Sequence, residues 1–100
     1  MAQIVWTEPA LNDLEDIAEY IALSNLQAAQ QLVRNIFEKV DRLKDHPRSG
    51  KKPEEIKSLN YREVVVTPCR IFYKIISHDV YILHVMRQEQ QLKMYALQHS

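Results

Sequence analysis

The chain has 100 residues, a hydrophobic content of 46% and no net formal charge at pH 7. This length and composition predict one domain over residues 1–100 with its own core, and they exclude a disordered or collagen-like chain. The single cysteine and the four histidines, which lack ligand spacing, argue against a disulfide framework, a metal site or a cofactor. The sequence also lacks a leader pattern and an apolar run of ~18 residues, so we expect a cytoplasmic protein without a membrane segment.

The amino-terminal segment predicts a short strand followed by a helix. Residues 3–7 (QIVWT) are mostly apolar, and Thr7 is a plausible N-cap with Glu8 and Pro9 in the first turn. The helix should run to about Leu23. Its apolar residues recur at helical spacing and predict one buried stripe: Ala10, Leu14, Ile17 and Ile21.

A second amphipathic helix is predicted from about Leu26 to Lys44. Ser24 and Asn25 can end the first helix and cap the second. The second buried stripe consists of Ala29, Val33, Ile36, Val40 and Leu43. Two such helices joined by a few residues predict an antiparallel helical hairpin.

The segment after the second helix, HPRSGKKPEEIKSLN at residues 46–60, predicts a surface loop with one short turn. It contains the only glycine of the chain. A loop of this length in a small domain favours a functional role, and the alternative is a solvated connector.

Charge is distributed unevenly along the chain. Residues 1–41 carry seven acids against two bases, whereas residues 42–74 carry nine bases against four acids. This asymmetry suggests an anionic or acidic partner for the middle segment, and the alternative is that helices and loops carry solvated charges.

Residues 61–87, YREVVVTPCRIFYKIISHDVYILHVMR, predict three consecutive antiparallel strands. A two-residue turn at His78-Asp79 would set Arg70 directly opposite Arg87 on one face. Like charges in that position need an acid or an anion nearby. The alternative is that they extend into water or are neutralised by Glu63 or Glu89.

The face of Arg62 depends on the preceding turn. A three-residue turn at residues 67–69 would set Val66 opposite Arg70 and place Arg62 with the other two arginines, whereas a two-residue turn would set Glu63 opposite Lys74. Both faces of the sheet carry apolar residues, so we expect the helices to cover one face and another element or a partner chain to cover part of the other.

The residues alone indicate a basic β-sheet surface. Its candidate cations are Arg62, Arg70, Arg87, Lys51 and Lys52, and its candidate proton carriers or stacking groups are Tyr73, His84 and Tyr95. Such a set suits a phosphate backbone or an acidic protein, and it would also suit a metal-free ribonuclease.

The element order β-α-α-β-β-β, with WTEPALNDLEDIAEYI, the HPRSGKK loop, and YREVVVTPCRIFYK leading into VYILHVMR, resembles the RelE/ParE family of bacterial toxins over about residues 3–88. The resemblance implies an α+β fold with an antiparallel sheet packed on an N-terminal helical hairpin. It also implies a growth inhibitor of a type II toxin–antitoxin system that stabilises a plasmid or chromosome. Such toxins are held inactive by a cognate antitoxin, and operator DNA is bound only through that antitoxin.

Two mechanisms divide this family. ParE-like members poison DNA gyrase, whereas RelE-like members cleave mRNA on the ribosome. The sequences of the first helix and of the segment YREVVV-P-RI-YK are closer to the ParE-like branch, so gyrase is the expected target and mRNA is the alternative. In a ribonuclease, the resemblance makes Arg62, Arg70, Arg87 and Tyr95 the catalytic candidates.

The resemblance also gives candidates for binding the target or the antitoxin. These are Arg62, Arg70, Phe72, Lys74, Arg87, Lys51 and Lys52. Two departures from the ParE-like pattern are Cys69, where a tyrosine is common, and Val85-Met86, where a histidine is common. The segment after Arg87 has helical composition, and we expect it either to pack on the sheet or to become ordered on binding.

Overall fold

The computed structural model describes residues 2–56 and 59–89, and it confirms the predicted α+β fold and element order. In chain order, the helices and strands are β1 (Ile4–Trp6), α1 (Glu8–Ala22), α2 (Leu26–Asp41), β2 (Arg62–Val66), β3 (Cys69–Ile76) and β4 (Asp79–Arg87). A 3₁₀ turn at Arg42–Lys44 extends α2, and another at Glu54–Ile56 is the short turn expected in the long loop. No helix among the described residues is long and apolar enough to cross a membrane.

Both helices begin at the predicted caps. The Thr7 side chain accepts a hydrogen bond from the Ala10 N–H, and the Asn25 side chain accepts one from the Ala28 N–H. Each cap satisfies one backbone donor that the first turn leaves without a helical partner. The two amphipathic helices therefore form the predicted hairpin and pack against the sheet. In α2 the predicted Val33 is only partly buried, whereas Leu32, which was not predicted, is buried.

The sheet has the strand order β1-β4-β3-β2. The pairs β2–β3 and β3–β4 are antiparallel, as predicted, whereas β1 pairs with β4 in parallel. β1 covers only Val80–Ile82 of β4, and α1 continues along the same edge. There the Thr7 hydroxyl donates to the Ile82 carbonyl at 2.6 Å, and the Asp13 carboxylate accepts from the Val85 N–H at 3.1 Å.

The predicted pairing of Arg70 with Arg87 is wrong for two reasons. The turn between β3 and β4 is Ser77-His78, one residue earlier than predicted, and both residues have positive φ (49° and 73°). In addition, β4 holds one extra residue, Leu83, between the pairs Tyr73–Ile82 and Phe72–His84. Arg70 consequently lies opposite Met86, and Arg87 lies opposite Cys69.

The turn between β2 and β3 consists of Thr67 and Pro68, joined by a cis peptide bond. Neither predicted register for this pair is correct, because Glu63 lies opposite Phe72 and Val65 lies opposite Arg70. Arg62 lies opposite Tyr73, a residue of the core between helices and sheet. Because directly opposed residues share a face, Arg62 lies on the helical face and Arg70 on the outer face.

The core lies between the helical hairpin and one face of the sheet. Its fully buried members include Ile36, Val40, Ile71, Tyr73 and Ile82. Part of the outer face of the sheet is covered by this chain itself. Phe72 is completely buried there beneath Leu59, Tyr61 and Met86.

Candidate functional site

The three strand arginines do not form one surface. Arg70 points to the outer face of the sheet, whereas Arg62 and Arg87 lie opposite core residues on the helical face. The extra residue Leu83 reverses the order in which β4 side chains alternate between the two faces of the sheet, and this separates Arg87 from Arg70. Each arginine also has partners within the chain, and these partners define its role.

Arg70 is held by two carboxylates on the outer face. It makes a bidentate pair with Glu55, with both N···O distances at 2.8 Å, and its Nη2 donates to Glu63 at 2.7 Å. Glu63 is the only buried charged residue in the described part of the chain, and its side chain is 5% exposed. The hydrogen bonds to Glu55 raise the pKa of Arg70 against the opposing effect of burial, so the guanidinium is permanently charged. This cluster ties the long loop to the sheet.

Arg87 packs against the first helix. Its guanidinium carbon lies 5.0 Å from the centroid of the Tyr20 ring, and its Nε lies 3.1 Å from the Glu89 carboxylate. A cation–π contact and a partly exposed ion pair contribute modestly to stability. The sequence alternative that Glu63 or Glu89 neutralises the arginines is therefore confirmed for both Arg70 and Arg87.

Arg62 holds the start of the long loop in place. Its Nη1 donates to the carbonyls of Arg48 at 3.2 Å and Gly50 at 2.8 Å. The buried Tyr73 hydroxyl donates to the Pro47 carbonyl at 2.7 Å and accepts the Gly50 N–H at 2.9 Å. Burial raises the pKa of Tyr73, with the Gly50 N–H and the Arg62 charge opposing that effect, so the hydroxyl stays protonated as a structural donor.

Gly50 is required by close approach rather than by an unusual backbone angle. A Cβ at this position would lie 2.5 Å from the Tyr73 hydroxyl oxygen and 2.8 Å from the Glu63 carbonyl oxygen. The next residue, Lys51, exchanges two backbone hydrogen bonds with Glu63 at the edge of β2. The only glycine of the sequence therefore marks the point where the loop docks on the sheet.

The docked loop forms a cationic cavity beside the start of β2. The cavity has a volume of about 280 Å³ and is lined by Arg48, Lys52, Asn60, Arg62 and Ile75. None of these described lining residues is acidic. A neighbouring cavity of about 540 Å³ shares Arg48 and Ile75 and adds Lys44, Asp45 and His78 to the lining. Arg48, Asn60 and the cavity itself were missed by sequence reasoning, because they depend on how the loop folds back.

His84 has a carboxylate partner that the sequence did not reveal. Its Nδ1 lies 3.1 Å from the Asp13 Oδ2, the same oxygen that accepts the Val85 N–H. Asp13 and His84 are separated by 71 positions, so no local motif could have paired them. The contact fastens α1 to the edge of β4.

The other predicted binding residues are dispersed. Phe72 is completely buried, whereas the side chain of Lys51 is 69% exposed and lies 3.8 Å from Glu63. The Lys74 ammonium lies 5.6 Å from the centroid of the Tyr61 ring on the outer face. Tyr95 and the predicted helical tail lie outside the described residues.

The helical hairpin carries a mainly apolar groove. The groove has a volume of about 500 Å³ and is lined by five apolar and three polar residues of α1 and α2: Ala18, Ala22, Leu26, Ala29 and Val33, with Glu19, Gln30 and Arg34. Leu23 and Leu26, at the connection between the helices, are 85% and 60% exposed. Contiguous exposed apolar surface of this kind is typical of protein interfaces.

Comparisons with known proteins give a consistent result. A family model described as the ParE toxin of type II toxin-antitoxin system, parDE, matches residues 4–92. Putative toxin Y4kP of Sinorhizobium fredii is 40% identical over 89 residues, with coverage of 89% of this chain and 91% of the relative. Toxin RelE2 of Caulobacter vibrioides is 33% identical over 87 residues, with coverage of 87% and 92%. A solved chain of the chromosomal ParDE TA system from P. aeruginosa has the same fold, with a TM-score of 0.74, 24% identity and coverage of 89% of this chain and 98% of that chain.

Proposed function

Because the chain belongs to the ParE toxin family of type II toxin–antitoxin systems, we propose that it arrests growth by acting on DNA gyrase in the cytoplasm and that a cognate antitoxin neutralises it. Operator DNA would be bound only through the antitoxin, and the system would stabilise the plasmid or chromosome that carries it. Family membership supports the toxin assignment, and the choice of target rests on the arrangement of the arginines.

The separation of Arg62, Arg70 and Arg87 carries the choice of gyrase. A metal-free ribonuclease stabilises a scissile phosphate by cations that converge on it and moves protons with a positioned acid and base. Here Arg70 is on one face of the sheet with two carboxylates, while Arg87 is on the other face against Tyr20. This separation supports gyrase over a ribonuclease as the reading, because Arg70 and Arg87 point to opposite faces of the sheet.

Cleavage of ribosome-bound mRNA is the second candidate. Two observations favour it: a relative that is 33% identical is named Toxin RelE2, and the cavity lined by Arg48, Lys52 and Arg62 has the charge that RNA requires. In that reading Tyr95 would be the late acid or base, and Lys52 and Lys74 would contact the target.

For the antitoxin, we propose an amphipathic segment that covers the groove of the helical hairpin. The groove offers apolar residues of both helices, and Leu23 and Leu26 are exposed beside it. An amphipathic helix docks in such a groove through apolar residues at helical spacing. The exposed Lys51, which lies outside that groove, would contact acidic groups of the antitoxin.

Expression of the chain alone, with a reporter of DNA damage, tests the proposed target. A gyrase poison arrests growth and induces the DNA-damage response within the first generations, because cleaved DNA accumulates. Arrest without induction, accompanied by cleaved mRNA, would favour the second candidate instead. Co-expression of the neighbouring small reading frame should restore growth, and an arrest that no such partner relieves would contradict the toxin–antitoxin proposal.

Substitutions in the hairpin test the proposed antitoxin surface. Leu26→Glu places a charge beside the apolar groove and should weaken binding of the purified antitoxin at least tenfold, or ~1.4 kcal/mol, while toxicity is retained. Ile76→Glu is the matched control, because Ile76 is also an exposed apolar residue (44%) but lies at the end of β3 outside the groove. Equal loss of antitoxin binding in both variants would contradict this placement.

A further inference from the structure

The cationic cavity beside β2 contains no neutralising acid among its described lining residues. Its charged lining residues Arg48, Lys52 and Arg62 form no ion pair within residues 2–56 and 59–89, in contrast to Lys44, Arg70 and Arg87, which all have carboxylate partners. Like charges held close together are destabilising unless an anion offsets them. This arrangement therefore favours a bound anion.

The cavity is also held in shape before any ligand enters. Among residues 2–56 and 59–89, Arg62 uses one nitrogen, Nη1, for both of its backbone contacts, so its Nε and Nη2 remain for a ligand. One of those contacts is the carbonyl of Arg48, which holds the backbone of that residue beside the Arg62 guanidinium. The adjoining contacts of Tyr73 with Pro47 and Gly50 hold the same loop segment. A preformed site loses less entropy on binding.

The number of donors distinguishes between classes of anion. Three cationic residues and Asn60 line a cavity of about 280 Å³, which is below the ~300–1,000 Å³ of pockets for drug-sized ligands. A carboxylate offers two oxygens in one plane, whereas a phosphate group offers three or four tetrahedral oxygens. Guanidinium groups match phosphate geometry, and lysine binds phosphate as a point charge.

We propose that Arg48, Lys52, Asn60 and Arg62 bind a phosphate group, either in a nucleic acid strand or as a free or terminal phosphate. The neighbouring cavity of about 540 Å³, which shares Arg48 and adds Lys44, gives room for the group that carries the phosphate. The site does not require gyrase as the target, so its failure would leave the proposed action on gyrase unaffected. A strand phosphate bound here would also serve the second candidate, cleavage of mRNA.

The adjacent lysines Lys51 and Lys52 provide a matched test in the full-length purified chain. Lys52 lines the cavity, whereas Lys51 is exposed and lies near Glu63 outside it. Two probes are used: inorganic phosphate, read by thermal unfolding against chloride of equal ionic strength, and a 5′-fluorescein-labelled 12-nucleotide single-stranded DNA without terminal phosphate, read by anisotropy.

Lys52→Gln should weaken binding of each probe that the unsubstituted chain binds by about tenfold, and it should remove the thermal stabilisation by inorganic phosphate. Lys51→Gln should leave the affinity for each probe within about twofold of that of the unsubstituted chain. For the oligonucleotide, Lys52→Gln should also lower the slope of log K against log salt by ~0.7. Selective loss with both probes supports a phosphate within a strand, and selective loss with inorganic phosphate alone supports a free or terminal phosphate. Equal losses in the two variants, or no binding of either probe, would overturn the proposal.

Discussion

Substitution of Gly50 by alanine tests whether the loop is docked on the sheet as the structure describes. The new Cβ would lie 2.5 Å from the Tyr73 hydroxyl oxygen, 2.7 Å from Tyr73 Cε1 and 2.8 Å from the Glu63 carbonyl oxygen. Tyr73 is completely buried and cannot move into solvent. Overpacking costs ~1–3 kcal/mol, and weakening the two hydrogen bonds of the tyrosine hydroxyl costs ~0.5–1.5 kcal/mol each. We therefore expect a loss of about 2–6 kcal/mol in the free energy of unfolding.

Urea unfolding followed by far-UV circular dichroism measures this loss. With a slope of ~1.5 kcal/mol/M, the midpoint should fall by roughly 1–4 M. Ser49→Ala is the control, because Ser49 is the exposed neighbour in the same loop, and it should stay within ~0.5 kcal/mol. In a Tyr73→Phe background Gly50→Ala should cost less, since the atom at the shortest distance is gone. A Gly50→Ala chain as stable as the unsubstituted one would refute the docked loop.

Three further predictions concern stability. Arg70→Ala leaves the buried Glu63 carboxylate without its closest cation and should cost ~3 kcal/mol in urea unfolding; Glu55→Gln, which removes only the more exposed partner, should cost less than ~1 kcal/mol. Burial raises the pKa of Cys69 from 9.0 to about 11, so the unfolded chain loses the thiol proton first. The folded state therefore gains stability from the protonated thiol below pH 9 and loses this gain as the pH rises towards 11. The difference in the free energy of unfolding between the unsubstituted chain and Cys69→Ala should change by ~2–3 kcal/mol over that interval. Thr7→Ala removes a helix cap and a hydroxyl contact with β4, and it should cost ~1–2 kcal/mol in the same assay.

The helices could be predicted because their signals are local. The caps Thr7 and Asn25, and the apolar stripes behind them, lie within a few residues of the contacts that they make. The addition of β1 to β4 in parallel could not be predicted, since this pairing joins residues 76 positions apart, such as Ile4 and Val80. Here local pattern determines the elements, and tertiary packing determines which strands meet.

The position of the arginines could not be predicted, because it depends on one residue. Moving the hairpin turn from His78-Asp79 to Ser77-His78 displaces each pairing by two positions and leaves Arg70 and Arg87 on the same face. The extra residue Leu83 then reverses the alternation, and Arg87 turns to the helical face. Asp79 is in fact the first residue of β4, where its carboxylate accepts the Gln3 N–H.

The central claim is that this ParE-family chain acts on gyrase, and a DNA cleavage assay with purified gyrase, ATP and supercoiled plasmid tests it most directly. We expect the full-length chain to increase protein-linked linear DNA in proportion to its concentration, and an excess of the antitoxin to abolish the effect. A parallel translation extract should be unaffected. Unchanged gyrase cleavage together with loss of translation would contradict the account and assign the toxin to mRNA instead.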